Sequence, residues 1–117
     1  MPRVKDLAPY AASITRISLA YICGIVKTVL KAGEHDENDL QYLFYAPFCH
    51  VFASNDHLHR SLWPAVSGPA FFVWGEELKR DLRLRADLRE QDPQHVAGMR
   101  PIDLPNSVIS AACNRWR

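Results

Sequence analysis

Three aspartates in the middle of the chain could do metal chemistry: Asp36, Asp39 and Asp56. Asp36 and Asp39 stand at the start of a predicted helix, and Asp56 follows the end of a predicted strand. A helix start and the carboxyl end of the next parallel strand can share one edge of an α/β sheet, where such sheets bind ligands. Carboxylate oxygens suit Mg²⁺ or Mn²⁺, ions that activate water for phosphodiester cleavage. The spacing therefore predicts a divalent-metal edge with these three ligands.

The segment DENDLQYLFY, followed by VFASND, resembles the second half of PIN-like nuclease domains. In that family an acidic residue opens a helix, and the next strand ends in Thr/Ser-x-Asp. The resemblance implies that Asp39 and Asp56 are catalytic acids and that Ser54 and Asn55 support their loop, with Asp36 as the alternate metal ligand. It covers Asp36 to Arg60 closely, and Phe71 to Leu88 resembles the family's last strand and helix more loosely.

The chain departs from the PIN-like pattern upstream of Asp36. The family also uses an Asp on its first strand and an acidic residue on an early helix. Here that region offers one long helix, and Asp6 lies in a polar arm. We therefore expect a truncated or diverged PIN-like domain that is inactive alone, or that takes its missing acids from a partner chain. Nucleic acid is the partner that the resemblance implies.

Ordinary local chemistry explains the same residues without a ligand. Asp at a helix start and Asn-Asp after a strand are common caps and turns. Zinc is not expected, because Cys49, His50, His57 and His59 lack a complete ligand spacing. The basic residues between Lys79 and Arg89 alternate with acids and predict a solvated helix surface. The cluster of aromatic residues from Tyr42 to Phe52 predicts core packing rather than base stacking.

Composition sets the broad class of the protein. The chain has 117 residues, 48% of them apolar, and a formal net charge of +1. These values predict one globular domain, with residues 1–8 as a flexible arm. The three cysteines form no C-x-x-C pair, which predicts small buried residues in a reducing, cytoplasmic location. The apolar run Ile17 to Val26 is too short to span a membrane, so no membrane partner is expected.

The elements that must position these residues alternate between helix and strand. Helix 10–31 carries an apolar stripe of Ile14, Ile17, Tyr21, Ile25 and Val29 and is expected to end at Gly33. The later elements are a helix at 38–45 opened by Asp36 or Asn38, a strand Phe48–Ala53, a helix 57–62, a strand Phe71–Trp74, and helices at 76–91 and 108–115. This order predicts a small, helix-rich α/β fold with a short parallel sheet.

A rival function of a different class follows from the first helix. Its apolar stripe over residues 10–31 could serve a non-catalytic interaction protein that forms a homodimer or docks on a partner chain. The sequence thus leaves two functions open: a metal-dependent nuclease relative and an interaction protein.

Overall fold

The computed structural model describes residues 1–100 and 106–115. The chain divides into two compact units, Met1–Phe72 and Val73–Arg117. The elements follow in the order α1 (Val4–Leu7), α2 (Pro9–Val26), α3 (Asp36–Tyr45), β1 (Val51–Ser54), α4 (His57–Leu62), β2 (Phe71–Trp74), α5 (Gly75–Gln91), α6 (Pro93–Gly98) and α7 (Val108–Arg115), with short 3-10 turns at Ala46–Phe48 and Trp63–Ala65. The predicted arm of residues 1–8 thus includes one helical turn, α1. The expectation of a single domain stays a prediction.

The helix-rich α/β class with a short parallel sheet is confirmed. β1 and β2 are neighbours in a two-stranded sheet, and the N–H of Phe71 donates to the carbonyl of His50 at 2.9 Å. The prediction that strand one begins at Phe48 is wrong, because Phe48 ends a 3-10 turn that contains Pro47. Proline lacks the N–H that a strand ladder needs, so the chain becomes extended only after this turn.

Helix α2 ends earlier than predicted, at Val26 rather than Lys31. Thr28 adopts a left-handed conformation with φ of 58°, and the N–H groups of Val29 and Leu30 both donate to the carbonyl of Gly24. Leu30 folds back so closely that a Cβ on Gly24 would lie 2.5 Å from its side chain. The left-handed stop is therefore Thr28, and the prediction of Gly33 as the terminating residue is wrong.

The core of the first unit lies where α2, α3 and α4 meet. Ile17 and Leu43 are completely buried, and Leu40 and Leu62 complete the cluster. Burying an aliphatic side chain of this size stabilises the fold by about 1.5–3 kcal/mol. The Ser13 hydroxyl in α2 donates to the Phe44 carbonyl at 3.2 Å, which adds a polar tie between the same helices.

Three aromatic rings pack together between the sheet and the turn that follows α4: Phe52 of β1, Phe72 of β2 and Trp63 of the turn. The ring centroids of Trp63 and Phe72 lie 4.9 Å apart, and those of Phe52 and Trp63 lie 5.6 Å apart. Aromatic pairs at these separations stabilise by about 0.5–1.5 kcal/mol beyond the area that they bury. A two-stranded sheet is marginal alone, so this packing helps to hold β1 in place.

In the second unit, a buried carboxylate holds the start of α7. Asp81 of α5 is 3% exposed and accepts a hydrogen bond from the N–H of Val108 at 2.7 Å. Ser107 caps the same helix, because its hydroxyl oxygen accepts from the N–H of Ser110 at 2.9 Å. Leu82, the next residue of α5, is exposed. Asp81 is buried instead, because its carboxylate pairs with a helix N–H that has no partner within α7.

Replacing Thr28 by glycine should stabilise the protein. A left-handed conformation costs a residue with a Cβ about 1–2 kcal/mol, and glycine escapes this cost. We expect Thr28→Gly to raise the free energy of unfolding in urea by up to about 1 kcal/mol. The matched control is Thr15→Gly in the middle of α2, which should lower it by a few tenths to about 1 kcal/mol. Equal effects at the two positions would contradict the assigned helix end.

Candidate functional site

Asp36 joins the start of α3 to α2. Its Oδ2 accepts hydrogen bonds from the Tyr21 hydroxyl at 2.6 Å and from the Gly33 N–H at 2.8 Å. These two donors, the tyrosine first, lower the pKa of the Asp36 carboxyl because they favour its ionised form. The bond to Asp36 in turn raises the pKa of Tyr21. No side chain caps α3, so the prediction that Asp36 or Asn38 caps this helix is wrong.

Asp56 and Ser54 form the turn between β1 and α4. Asp56 Oδ1 accepts from the N–H of Leu58 at 2.7 Å and so caps α4. The N–H of Asp56 donates to Ser54 Oγ at 3.0 Å. The turn therefore has the form of an ordinary helix cap, with Asn55 between the two residues, and the PIN-like role of Ser54, Asn55 and Asp56 stays a prediction.

A buried histidine connects this turn to α3. The carbonyl of Asp39 can only accept, so His59 Nε2–H donates to it at 2.8 Å. Nδ1 then accepts from the Ser54 hydroxyl at 2.7 Å. His59 itself is 6% exposed, so both of its ring nitrogens are paired within the protein. The contribution of Asp39 to this network is its backbone, and its side chain is half-exposed.

The structure brings only part of the predicted metal edge together. Asp36, Asn55 and Asp56 line one open depression of about 390 Å³, together with Lys31 and His57, and Asp39 is not among the lining residues. Within residues 1–100 and 106–115, no group of three or more His, Cys, Asp or Glu side chains could hold a metal ion. Divalent metal at Asp36, Asp39 and Asp56 stays a prediction that needs further ligands.

The solvent side of α2 is a different kind of candidate surface. Leu19, Ile22 and Val26 are 56%, 54% and 76% exposed, although all three are large and apolar. We call these three residues, with Thr15, the α2 outer stripe. Only two of the 18 residues of α2, Ser13 and Ile17, are buried. A helix that is apolar on both sides normally has both sides covered.

The stripe that the sequence predicted for docking is mainly the core side of α2. Ile17 is buried and Ile14, Tyr21 and Ile25 are half-buried, so only Val29 of that set is exposed. Both stripes have helical spacing, and periodicity alone could not tell which one the core would cover. Over the described residues, α2 is also long and apolar enough to cross a membrane, a test that core helices and signal sequences pass as well.

Several side chains predicted to be buried are exposed. Tyr42, Tyr45 and Phe48 lie at the surface, and the ring of Tyr45 packs 5.1 Å from that of Tyr10. The prediction of core packing is wrong for these three aromatics, because α3 has already filled its core side with Leu40 and Leu43. All three cysteines are free, and Cys23 and Cys113 are exposed rather than buried.

Comparisons with known proteins give no relative for this chain: no family model, no curated protein and no solved structure matches it. The PIN-like resemblance therefore depends on the residues quoted above alone.

The Tyr21–Asp36 hydrogen bond should make stability depend on pH. The folded-state pKa of Asp36 is lowered, so its contribution is present above the unfolded-state pKa and is lost as pH falls through the folded-state pKa. Tyr21→Phe removes the larger cause and should raise the Asp36 pKa in a carboxyl NMR titration. The difference in unfolding free energy between parent and variant should be largest near neutral pH and shrink below about pH 4.

The control for this experiment is Tyr42→Phe, which removes the hydroxyl of an exposed tyrosine on α3. It should leave the Asp36 titration unchanged. A Tyr21→Phe effect on stability that is constant from pH 3 to pH 7 would show that the hydroxyl acts by packing and not through the carboxylate.

Proposed function

We propose that this chain is a non-catalytic interaction protein that binds a protein partner through the α2 outer stripe. The observation that carries the proposal is the exposure of Leu19, Ile22 and Val26 on a helix whose opposite side forms the core. An exposed apolar surface of this kind is typical of a binding site, because covering it removes apolar area from water. The helix is already ordered by its core contacts, so binding pays little for ordering it.

A protein partner fits α2 better than a membrane does. Ile17 is completely buried against the cluster of Leu40, Leu43 and Leu62, and a helix that crossed a bilayer would lose these contacts. Arg16 lies near the middle of α2, where a bilayer would oppose its charge by about 2.5–3.5 kcal/mol. The same arginine can stay in water at the edge of a protein interface. These contacts support a protein partner of α2 over a membrane, and the cytoplasmic location that the cysteine pattern predicts is kept as part of the proposal.

Cysteine labelling in cells tests this proposal. Cys23 lies on α2 beside the outer stripe and is exposed, as is Cys113 of α7. If a partner covers the stripe, N-ethylmaleimide should label Cys23 several-fold more slowly than Cys113 in intact cells that express the full chain. After denaturation the two cysteines should label equally.

Two variants with the same chemical change complete the labelling test. Ile22→Glu places a charge on the outer stripe and should restore rapid labelling of Cys23. Leu82→Glu places the same charge on an exposed leucine of α5 and should not. Rapid labelling of Cys23 in the parent, or protection only of chains that sediment with membranes, would overturn the proposal.

A second candidate function is the PIN-like one, a divalent-cation edge related to nucleases that act on RNA or DNA. One observation favours it: Asp36, Asn55 and Asp56 line the same depression. The described part of the chain holds no ligand group of three, so the residues present would hold an ion only weakly and do not complete a nuclease site. Catalysis under this candidate therefore requires acids from a partner chain, with Asp39 as a further ligand and Ser54 as support, and the chain alone would be inactive.

Thermal melting with Mn²⁺ separates the two candidates. Under the second candidate, millimolar Mn²⁺ should raise the melting temperature of the parent. The unfolding free energy rises by about 2.7 kcal/mol when the ion exceeds its dissociation constant a hundredfold. Asp56→Asn keeps an acceptor for the Leu58 N–H but weakens the ion site, so its melting temperature should rise less. If Mn²⁺ shifts the melting temperatures of the parent and of Asp56→Asn equally, the cation-edge candidate is rejected and the interaction protein remains.

A further inference from the structure

The α2 outer stripe has the spacing of a coiled-coil seam. Its members Thr15, Leu19, Ile22 and Val26 follow at steps of four, three and four residues, and Ala12 extends the pattern by a step of three. This average of 3.5 residues keeps one narrow line of side chains facing a partner helix. A lipid surface imposes no such spacing, since it has no knobs and holes to match.

The seam and the core use opposite sides of the same helix. At about 100° per residue, Val26 lies about 180° around the helix from Ile17, which is completely buried. A second helix could therefore pack on the seam without disturbing the contacts of Ile17 with Leu40 and Leu43. The Thr15 hydroxyl donates to the Ala11 carbonyl at 2.9 Å, so burying it leaves no unpaired donor.

The charge pattern of α2 also suits a seam. Arg16 is the only charged residue between Pro9 and Val26, and it lies about 80° from the middle of the stripe, beside the seam rather than in it. Its long side chain can reach water past a packed helix. No like charges therefore meet in the centre of a pair of such helices.

We infer that the occupant of the α2 outer stripe is the α2 helix of a second copy of this chain, packed antiparallel about a two-fold axis. This inference rests on the proposed function and names its partner. A two-fold axis lets one stripe cover itself, so each protomer supplies both the knobs and the holes. In the antiparallel register, Leu19 of one protomer faces Ile22 of its partner, and Thr15 faces Val26 of its partner.

The partial charges at the helix ends favour antiparallel over parallel packing. The N-terminus of an α-helix carries a partial positive charge and the C-terminus a partial negative charge, so antiparallel helices set opposite ends beside one another, whereas parallel helices set like ends together. In the antiparallel register Leu19 and Ile22 pack at the centre of the seam, and each Thr15 packs against Val26 of the partner towards its ends.

The length of α2 sets the strength of the dimer. A helix of 18 residues is about 27 Å long, which is short for a coiled coil. An interface of one such helix from each protomer falls at or below the low end of the roughly 1,200–2,000 Å² of specific interfaces. We therefore expect a reversible dimer with a dissociation constant on the order of 1–10 µM, so that Cys23 is covered in cells that express the chain well above this concentration.

Sedimentation equilibrium of the purified full chain tests the second copy. The parent should pass from monomer to dimer between about 1 and 500 µM, a range that brackets the expected constant. Ile22→Glu should weaken association at least about tenfold, because it buries a charge in the seam. Leu82→Glu, the matched change on α5, should associate like the parent, and circular dichroism should show that both variants are folded.

Disulfide cross-linking tests the antiparallel register. With Cys23 and Cys113 replaced by serine, a mixture of Leu19→Cys and Ile22→Cys proteins should cross-link between the two species on mild oxidation, faster than either species with itself. Faster self-linking of each variant would overturn the antiparallel packing.

The outcomes separate this inference from the proposed function. If the parent stays monomeric up to 500 µM and Cys23 is still protected in cells, the inferred homodimer is wrong. The proposed function would then stand with a different protein as the partner. A monomer whose Cys23 is also unprotected in cells would overturn both. A parent that dimerises without any effect of Ile22→Glu would overturn the seam as the interface.

Discussion

The fold of the first unit depends on the burial of Ile17 between α3 and α4. Ile17 and Leu43 are the two large side chains that are fully removed from solvent among the described residues, and they lie on opposite sides of the α2–α3 contact. Each contributes about 1.5–3 kcal/mol, a large share of the stability of a small domain. This contact fixes the rotation of α2 about its own axis. It therefore decides which side chains of α2 remain for other purposes, including the outer stripe.

The polar residues that first suggested metal chemistry form hydrogen bonds that link the elements around this core. The carboxylate of Asp36 holds the loop at Gly33 and the hydroxyl of Tyr21, and that of Asp56 caps α4. His59 joins Ser54 to the carbonyl of Asp39 from a buried position. These bonds satisfy groups that burial would otherwise leave unpaired. These local hydrogen bonds explain why acidic residues cluster here. The PIN-like interpretation stays a proposal, which needs additional acidic ligands from a partner chain.

The proposed function follows from what the core does not cover. The remaining side of α2 is apolar, helically spaced and nearly free of charge, properties that suit a second helix. The exposed aromatics of α3 are less informative, because Tyr10 and Tyr45 cover one another in part and their surroundings favour no ligand class. A small unit with few fully buried residues is also one in which covering an apolar face adds noticeably to stability.

The sequence by itself determined the local elements wherever the chemistry was local. The strand Phe71–Trp74 and the helices His57–Leu62 and Val108–Arg115 were predicted with the bounds that the structure shows. Apolar runs, caps and breaks act within a few residues, so the chain alone carries that information.

Only the tertiary structure decided which of several equivalent patterns faces the core. Both apolar stripes of α2 have helical period, and contacts with Leu40 and Leu43, far along the chain, selected the one that contains Ile17. Long-range packing also buried His59 in the first unit and Asp81 in the second. Tyr45 and Phe48 were left exposed, although the sequence predicted that they pack in the core. The left-handed end of α2 at Thr28 likewise depended on Leu30 folding back on Gly24. Burial is a property of elements that meet in space, and residue spacing along one element cannot specify its partner.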